Sequence, residues 1–123
     1  MSEKRKVLIV DDSKIILSLH SYILETAGFD CDTALNGFEA YEMLLKNRYE
    51  ILITDVNMPR MDGFTLTKKT RTIPECKDLP IIIISTEAEA KDKSKGMDAG
   101  ANLYVVKPAD PRALVMHVEM LLA

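Results

Sequence analysis

Val7-Leu8-Ile9-Val10-Asp11-Asp12 is a short apolar run that stops on two carboxylates, and the same design recurs along the chain. Ile51-Leu52-Ile53-Thr54 stops on Asp55, Ile81-Ile82-Ile83-Ile84 on the hydroxyls of Ser85 and Thr86, and Leu103-Tyr104-Val105-Val106 on Lys107-Pro108. Four strands thus deliver polar groups from the same kind of end. In an open parallel sheet that end is one shared edge, and ligands bind in the crevice outside it. Acids, a hydroxyl and a lysine brought together there are what phosphoryl chemistry on a carboxylate, assisted by a divalent cation, requires.

Between the runs lie longer segments with helical periodicity, the pattern of repeated βα units. Ile15, Ile16, Leu19, Tyr22 and Ile23 recur at helical spacing, and Ala27-Gly28 ends that helix as a glycine cap. A short second strand is expected around Phe29 to Thr33, then a helix capped by Asn36 with Ala40, Met43 and Leu44 inward. The third strand runs from Ile51 to Asp55, and a loop punctuated by Pro59 and Gly63 leads to a helix from about Phe64 to Arg71. Pro74 and Pro80 bracket the next connection. A helix from about Ala88 to Ala99, stopped by Gly100, precedes the fifth strand. The last helix runs from Pro111 to Leu122, with Leu114, Val115, Val118 and Leu121 as its core stripe. Strict alternation of five strands and five helices predicts a doubly wound α/β fold, with a parallel sheet covered on both faces.

The 123 residues, 47% of them hydrophobic, fit one domain spanning 1–123 and leave no room for a second. A net charge of −3 with dispersed Lys and Arg gives no footprint for direct nucleic-acid binding. No run approaches a membrane span, and Met1-Ser2-Glu3-Lys4-Arg5-Lys6 leads straight into a strand, so a cytoplasmic protein without membrane insertion is expected. Cys31 and Cys76 lack CxxC spacing and read as reduced thiols, and His20 and His117 lack zinc-ligand spacing.

Each site residue also has an ordinary structural reading. Asp11 and Asp12 stand where a helix N-cap stands. Two adjacent carboxylates near a third repel, however, unless a cation sits among them, and an all-oxygen set suits Mg2+. Asp55 at a strand end can be a turn residue or a nucleophile that accepts a phosphoryl group. Asn57 is placed to offer a backbone carbonyl to the metal. Ser85 or Thr86 can cap the next helix, Ser85 being the better candidate for phosphate contact. Lys107 can pair with Asp55 and then with a phosphoryl oxygen, and a cis Lys107-Pro108 bond would aim it inward.

The segments Val7 to Ser13, Ile53 to Gly63, Pro80 to Ser85, Ala99-Gly100-Ala101 and Tyr104 to Pro108 together resemble the response-regulator receiver domain, closest to its single-domain chemotaxis type. The resemblance covers essentially the whole chain. It implies a flavodoxin-like (βα)5 fold with strand order 2-1-3-4-5. It implies Asp55 as phosphoacceptor, Mg2+ or Mn2+ on Asp11, Asp12, Asp55 and the Asn57 carbonyl, and Lys107 as the phosphate-contacting lysine. Ser85 and Tyr104 take the switch positions, and Asn57 and Glu87 the two positions that tune hydrolysis. Implied partners are a histidine kinase or histidine phosphotransfer protein, and a downstream target on the face made by the fourth helix, fifth strand and last helix. The protein then signals rather than turning over a substrate, catalysing only its own phosphorylation and dephosphorylation, and a monomer is expected. Two features depart from the family: Thr86 replaces the usual alanine, and Ala109-Asp110-Pro111 replaces the phenylalanine after Lys-Pro. No output domain follows Ala123, so the effect is expected to pass through another protein.

Three other readings fit less well. A metal-dependent phosphatase of similar fold would pair its nucleophile with a general acid two residues on, where Asn57 stands. A pure interaction domain would not need the complete set of Asp11, Asp12, Asp55, Ser85 and Lys107. A nucleotide-binding fold would need a glycine-rich loop after the first strand.

Overall fold

The computed structural model describes residues 4–123; Met1, Ser2 and Glu3 of the charged lead-in lie outside the described residues. The elements alternate as β1 (Lys6–Val10), α1 (Lys14–Thr26), β2 (Asp30–Ala34), α2 (Gly37–Lys46), β3 (Ile51–Thr54), α3 (Gly63–Arg71), a 3-10 turn (Pro74–Cys76), β4 (Ile81–Ser85), α4 (Ala90–Ala99), β5 (Leu103–Val106) and α5 (Pro111–Leu121). All strand pairs are parallel, in the order β2-β1-β3-β4-β5. Strands β1, β3 and β4 occupy the centre, so their Val, Leu and Ile side chains are buried on both faces, as their unbroken apolar runs require.

Alternate strand residues feed two separate cores. Leu8, Val10, Leu52, Ile81 and Ile83 pack with Ala40 and Leu44 of α2 and Phe64 and Leu66 of α3. On the opposite face Val7, Ile9, Ile51, Ile53, Ile82 and Ile84 pack with Leu17 and Leu24 of α1 and Leu114 and Val118 of α5. Each fully buried side chain of this kind contributes about 1.5–3 kcal/mol relative to exposure.

The inward face of α1 differs from the apolar spacing read in the sequence. Of the five apolar residues at that spacing, Ile15, Leu19 and Tyr22 are exposed, Ile16 is half-buried and Ile23 packs partly buried against the core, where Leu17, His20 and Leu24 are the buried residues of the helix. Both sets recur every three to four residues, so periodicity placed the helix without choosing its face. The N-cap of α1 is Ser13, whose Oγ accepts from the Ile16 amide at 3.3 Å, and neither Asp11 nor Asp12 serves that purpose. Asn36 caps α2 as expected, Asp62 caps α3, and Asp110 caps α5 with Pro111 in its first turn. The Ala109-Asp110-Pro111 departure therefore has a local purpose in starting α5.

Candidate functional site

Strand register sets the site. Val10 of β1 lies beside Thr54 of β3, so the residues that follow, Asp11 and Asp55, emerge together at the carboxyl edge. Ser85 of β4 lies beside Val106 of β5, which places Lys107 on the same edge. Backbone hydrogen bonds hold each one just past its strand: Asp11 N–H to the Ala34 carbonyl at 3.2 Å, Asp55 N–H to Val10 at 2.9 Å and Lys107 N–H to Ser85 at 2.8 Å. The loop after β3 closes tightly, because a Cβ on Gly63 would overlap the Asp55 carbonyl oxygen. Glycine is required there by close approach.

Lys107 is the electrostatic centre. Its Nζ lies 2.7 Å from Asp11 Oδ2 and 3.4 Å from Asp55 Oδ2, and its peptide bond to Pro108 is cis. Burial alone would lower its pKa, but the hydrogen bond to Asp11 and the charges of both carboxylates outweigh burial and hold it above the ordinary lysine value. Asp55 is pushed above the ordinary carboxylate value, first by burial and then by the Asp11 charge, against the opposing pull of Lys107 and the Val56 amide. The Val56 N–H donates to Asp55 Oδ1 at 2.8 Å, leaving Oδ2 to face the crevice with Lys107. Asp11 Oδ1 accepts from the Ser13 amide at 2.9 Å.

Asp11, Asp12 and Asp55 each place a carboxylate oxygen within 4.8 Å of the others, Asp12 being exposed and the other two buried. Three hard oxygen donors at the solvent edge fit a small divalent cation such as Mg2+, which keeps several waters or phosphate oxygens of its own. One lysine ammonium cannot neutralise three carboxylates, which is the second reason a cation fits here.

Behind the carboxylates, Ser85 is fully buried and its Oγ accepts from the Glu87 N–H at 3.1 Å, while Thr86 is exposed. Tyr104 is half-buried, and its hydroxyl donates to the Glu87 carbonyl at 2.7 Å. Asn57 Nδ2 donates to Glu87 Oε1 at 3.0 Å, bridging the loops after β3 and β4. The residues singled out in the sequence therefore meet at one edge, with Ser85, Tyr104 and Asn57 converging on Glu87.

Sequence reasoning weighed His20 only as a zinc ligand and gave it no place at the site. It is buried on α1, and its pKa is lowered by burial and by the Lys107 charge, against Asp11. The imidazole is thus a neutral neighbour of the cation and acids. A histidine at the same spacing as Leu17 and Leu24 was the available signal.

Residues 7–119 match the response regulator receiver domain family. The chain belongs to that family. It is 37% identical to the chemotaxis response regulator CheY4 of Vibrio cholerae, with a TM-score of 0.92 over 97% of this chain and 99% of that one. It is 38% identical over 117 residues to the transcriptional regulatory protein SrrA of Staphylococcus aureus, covering 95% of this chain and 47% of that protein. It is also 38% identical over 106 residues to the gliding motility regulatory protein of Myxococcus xanthus, covering 86% of this chain and 14% of that protein. The chain thus spans less than half the length of these two curated relatives. Receiver domains are phosphoacceptor signalling modules of two-component systems. They are phosphorylated on aspartate with Mg2+ and work with histidine kinases and downstream effectors. Among the described residues no helix is long and apolar enough to cross a membrane.

Proposed function

We propose that residues 1–123 act as one cytoplasmic receiver domain, monomeric at rest, that takes a phosphoryl group from a histidine kinase or histidine phosphotransfer protein onto Asp55. The observation that carries this reading is the Asp55 carboxylate itself. Among the described residues no backbone donor holds its Oδ2, and it sits beside Lys107 with Asp11 and Asp12 close by. In the transfer Asp55 Oδ2 attacks phosphorus, the O–P bond forms and the P–N bond to the donor imidazole breaks. Asp11, Asp12, Asp55 and the Asn57 carbonyl would hold Mg2+, which supplies charge neutralisation between the carboxylate and the incoming phosphoryl oxygens.

Lys107 then changes partners. Its ammonium, shared in the resting protein between Asp11 and Asp55, swings onto a phosphoryl oxygen, and the Ser85 hydroxyl leaves the Glu87 amide to donate to another. Tyr104 follows into the space behind Ser85 and reshapes the α4, β5 and α5 face for a downstream target. A swing from mostly inactive to mostly active needs about 5.5 kcal/mol of differential stabilisation. Two new charge-assisted hydrogen bonds at about 1.5–3 kcal/mol each cover much of that, and a target selective for the active form supplies the rest. Asn57 and Glu87 flank the acceptor and tune access of the water that hydrolyses the aspartyl-phosphate and resets the module.

Phosphotransfer tests the reading. Purified histidine kinases and phosphotransfer domains carrying labelled phosphohistidine are expected to pass label to the wild-type chain and none to Asp55→Asn. Label appearing on Asp55→Asn at the wild-type rate would overturn it.

A further inference from the structure

The loop from Val56 to Gly63 carries Asn57 past the site, and it is closed at its base, where the Gly63 amide donates to the Val56 carbonyl at 2.9 Å. Its far side makes a three-residue turn. The Met61 amide donates to the Pro59 carbonyl at 2.8 Å, and Arg60 between them has φ 70°, the only positive φ on a residue other than glycine among the described residues. A turn of that span and sign is rare and strained. A residue with a bulky side chain keeps such a backbone only where its surroundings over-determine it.

The start of α2 supplies those surroundings. The Arg60 guanidinium lies over the Phe38 ring, 4.5 Å from its centroid. One residue on, Met61 abuts Gly37 so closely that a Cβ there would lie 2.6 Å from the Met61 carbonyl oxygen. Met58 is buried in the core on that face and Met61 packs against it, which leaves Arg60 at the tip. Phe38 and Arg60 are both exposed, so their stack adds nothing to either core, and what it fixes is the loop. The start of α2 is itself tied to the site. Asn36 caps it, and β2, the strand that leads into it, ends at Ala34, whose carbonyl accepts from the Asp11 amide at 3.2 Å. The stack therefore joins the loop bearing Asn57 to the strand end that fixes Asp11, the two sides between which a cation would sit.

We infer that Arg60 is a positioning residue of the metal site: stacked on Phe38, it holds the strained turn that sets the Asn57 carbonyl against Asp11, Asp12 and Asp55. The inference rests on the proposed seating of Mg2+ at that carbonyl. Charge alone gives the opposite sign, because removing a positive side chain near a cation site tightens the cation. A weakening on loss of Arg60 therefore reports position.

Isothermal titration of Mg2+ into the full chain, with Tm taken on the same samples, tests this. Arg60→Gly relieves the backbone, since glycine takes a positive φ freely, and Phe38→Leu keeps the charge and the apolar bulk but loses the ring face. Each should weaken Mg2+ binding about three- to fivefold, the worth of an exposed stack of this kind, with Tm held in Arg60→Gly. The double variant should lose no more than either single one, and Phe38→Trp, with the stronger ring, should bind Mg2+ as the wild type does. Hydrogen–deuterium exchange of the Met61 amide in Mg2+-free buffer should rise about threefold in Arg60→Gly and in Phe38→Leu. Wild-type or tighter Mg2+ affinity in Arg60→Gly, unchanged affinity in Phe38→Leu, losses that add in the double variant, or a loss in Phe38→Trp equal to that in Phe38→Leu would each overturn the inference. Absence of Mg2+ binding in the wild type would instead count against the metal site of the proposed function, and the Met61 amide would still decide the positioning, which unaltered exchange in both variants overturns.

Discussion

Replacing Lys107 with methionine keeps most of the aliphatic stem and removes the charge. The side chains of Lys107, Asp11 and Asp55 are 14, 5 and 10% exposed, so the ammonium sits between two carboxylates largely withdrawn from water. At an effective dielectric constant of about 20, the attraction is about 6 kcal/mol across the 2.7 Å contact and about 5 kcal/mol across the 3.4 Å one. Desolvation offsets much of this, and removing one partner from a buried pair costs about 3–5 kcal/mol net. An unfolding entropy of about 2.1 cal/mol/K per residue makes each kcal/mol worth about 4 °C in a 123-residue chain. Lys107→Met should therefore lower Tm by about 12–20 °C in metal-free buffer. The same logic fixes what restores stability. Excess Mg2+, seated among the carboxylates, should recover much of the loss, and adding Asp55→Asn should recover part of it by removing one of the two uncompensated charges. Calorimetry of the four variants in the cycle, with and without Mg2+, gives a coupling of about 1–3 kcal/mol between positions 55 and 107. A Tm loss below about 4 °C, or a loss untouched by both Mg2+ and Asp55→Asn, would refute the assignment of Lys107 as the counter-charge of the site.

Other consequences are equally direct. His20 has a folded pKa below its ordinary 6.5, so the stability it supports is full above that pH and is lost as pH falls through the folded value. Urea unfolding at neutral and mildly acidic pH should show a smaller acid loss in His20→Gln than in wild type, and parallel losses would remove His20 from the account. Gly63→Ala forces a methyl group into the Asp55 carbonyl and should cost at least about 2 kcal/mol by denaturant unfolding; a neutral result would contradict the close packing of that loop. Glu87→Ala breaks the bridge to Asn57 and frees the water path, so the lifetime of the phosphoryl group should change severalfold while its attachment still requires Asp55. An unchanged lifetime would show that the bridge has no part in hydrolysis.

The four apolar runs and their polar ends made the sheet and its functional edge legible, because a buried parallel strand writes itself as an unbroken apolar run. Asn36 and Gly100 marked helix ends correctly, each for a local reason, a side-chain acceptor in one case and a positive φ in the other. The face of α1 was not legible. Two stripes of equal spacing, Ile15-Leu19-Tyr22 and Leu17-His20-Leu24, compete in one helix, and the direction in which the chain leaves β1 chooses between them. The start of α4 fell two residues late, at Ala90 rather than Ala88, where the sequence offers no capping side chain. The bonding of Arg71 was hidden altogether, since its guanidinium donates to the backbone carbonyls of Cys76, Leu79 and Gly100, which leave no trace in residue identity. The convergence of Ser85, Tyr104 and Asn57 on Glu87 was hidden in the same way, for two of the three bonds end on the Glu87 backbone.

Intact mass after incubation with acetyl phosphate, for wild type and Asp55→Asn, each with Mg2+ and with a chelator, tests the central claim most directly. A gain of one phosphoryl group in wild type with Mg2+, and in no other sample, is the predicted result. No gain in wild type, or an equal gain in Asp55→Asn, would contradict it.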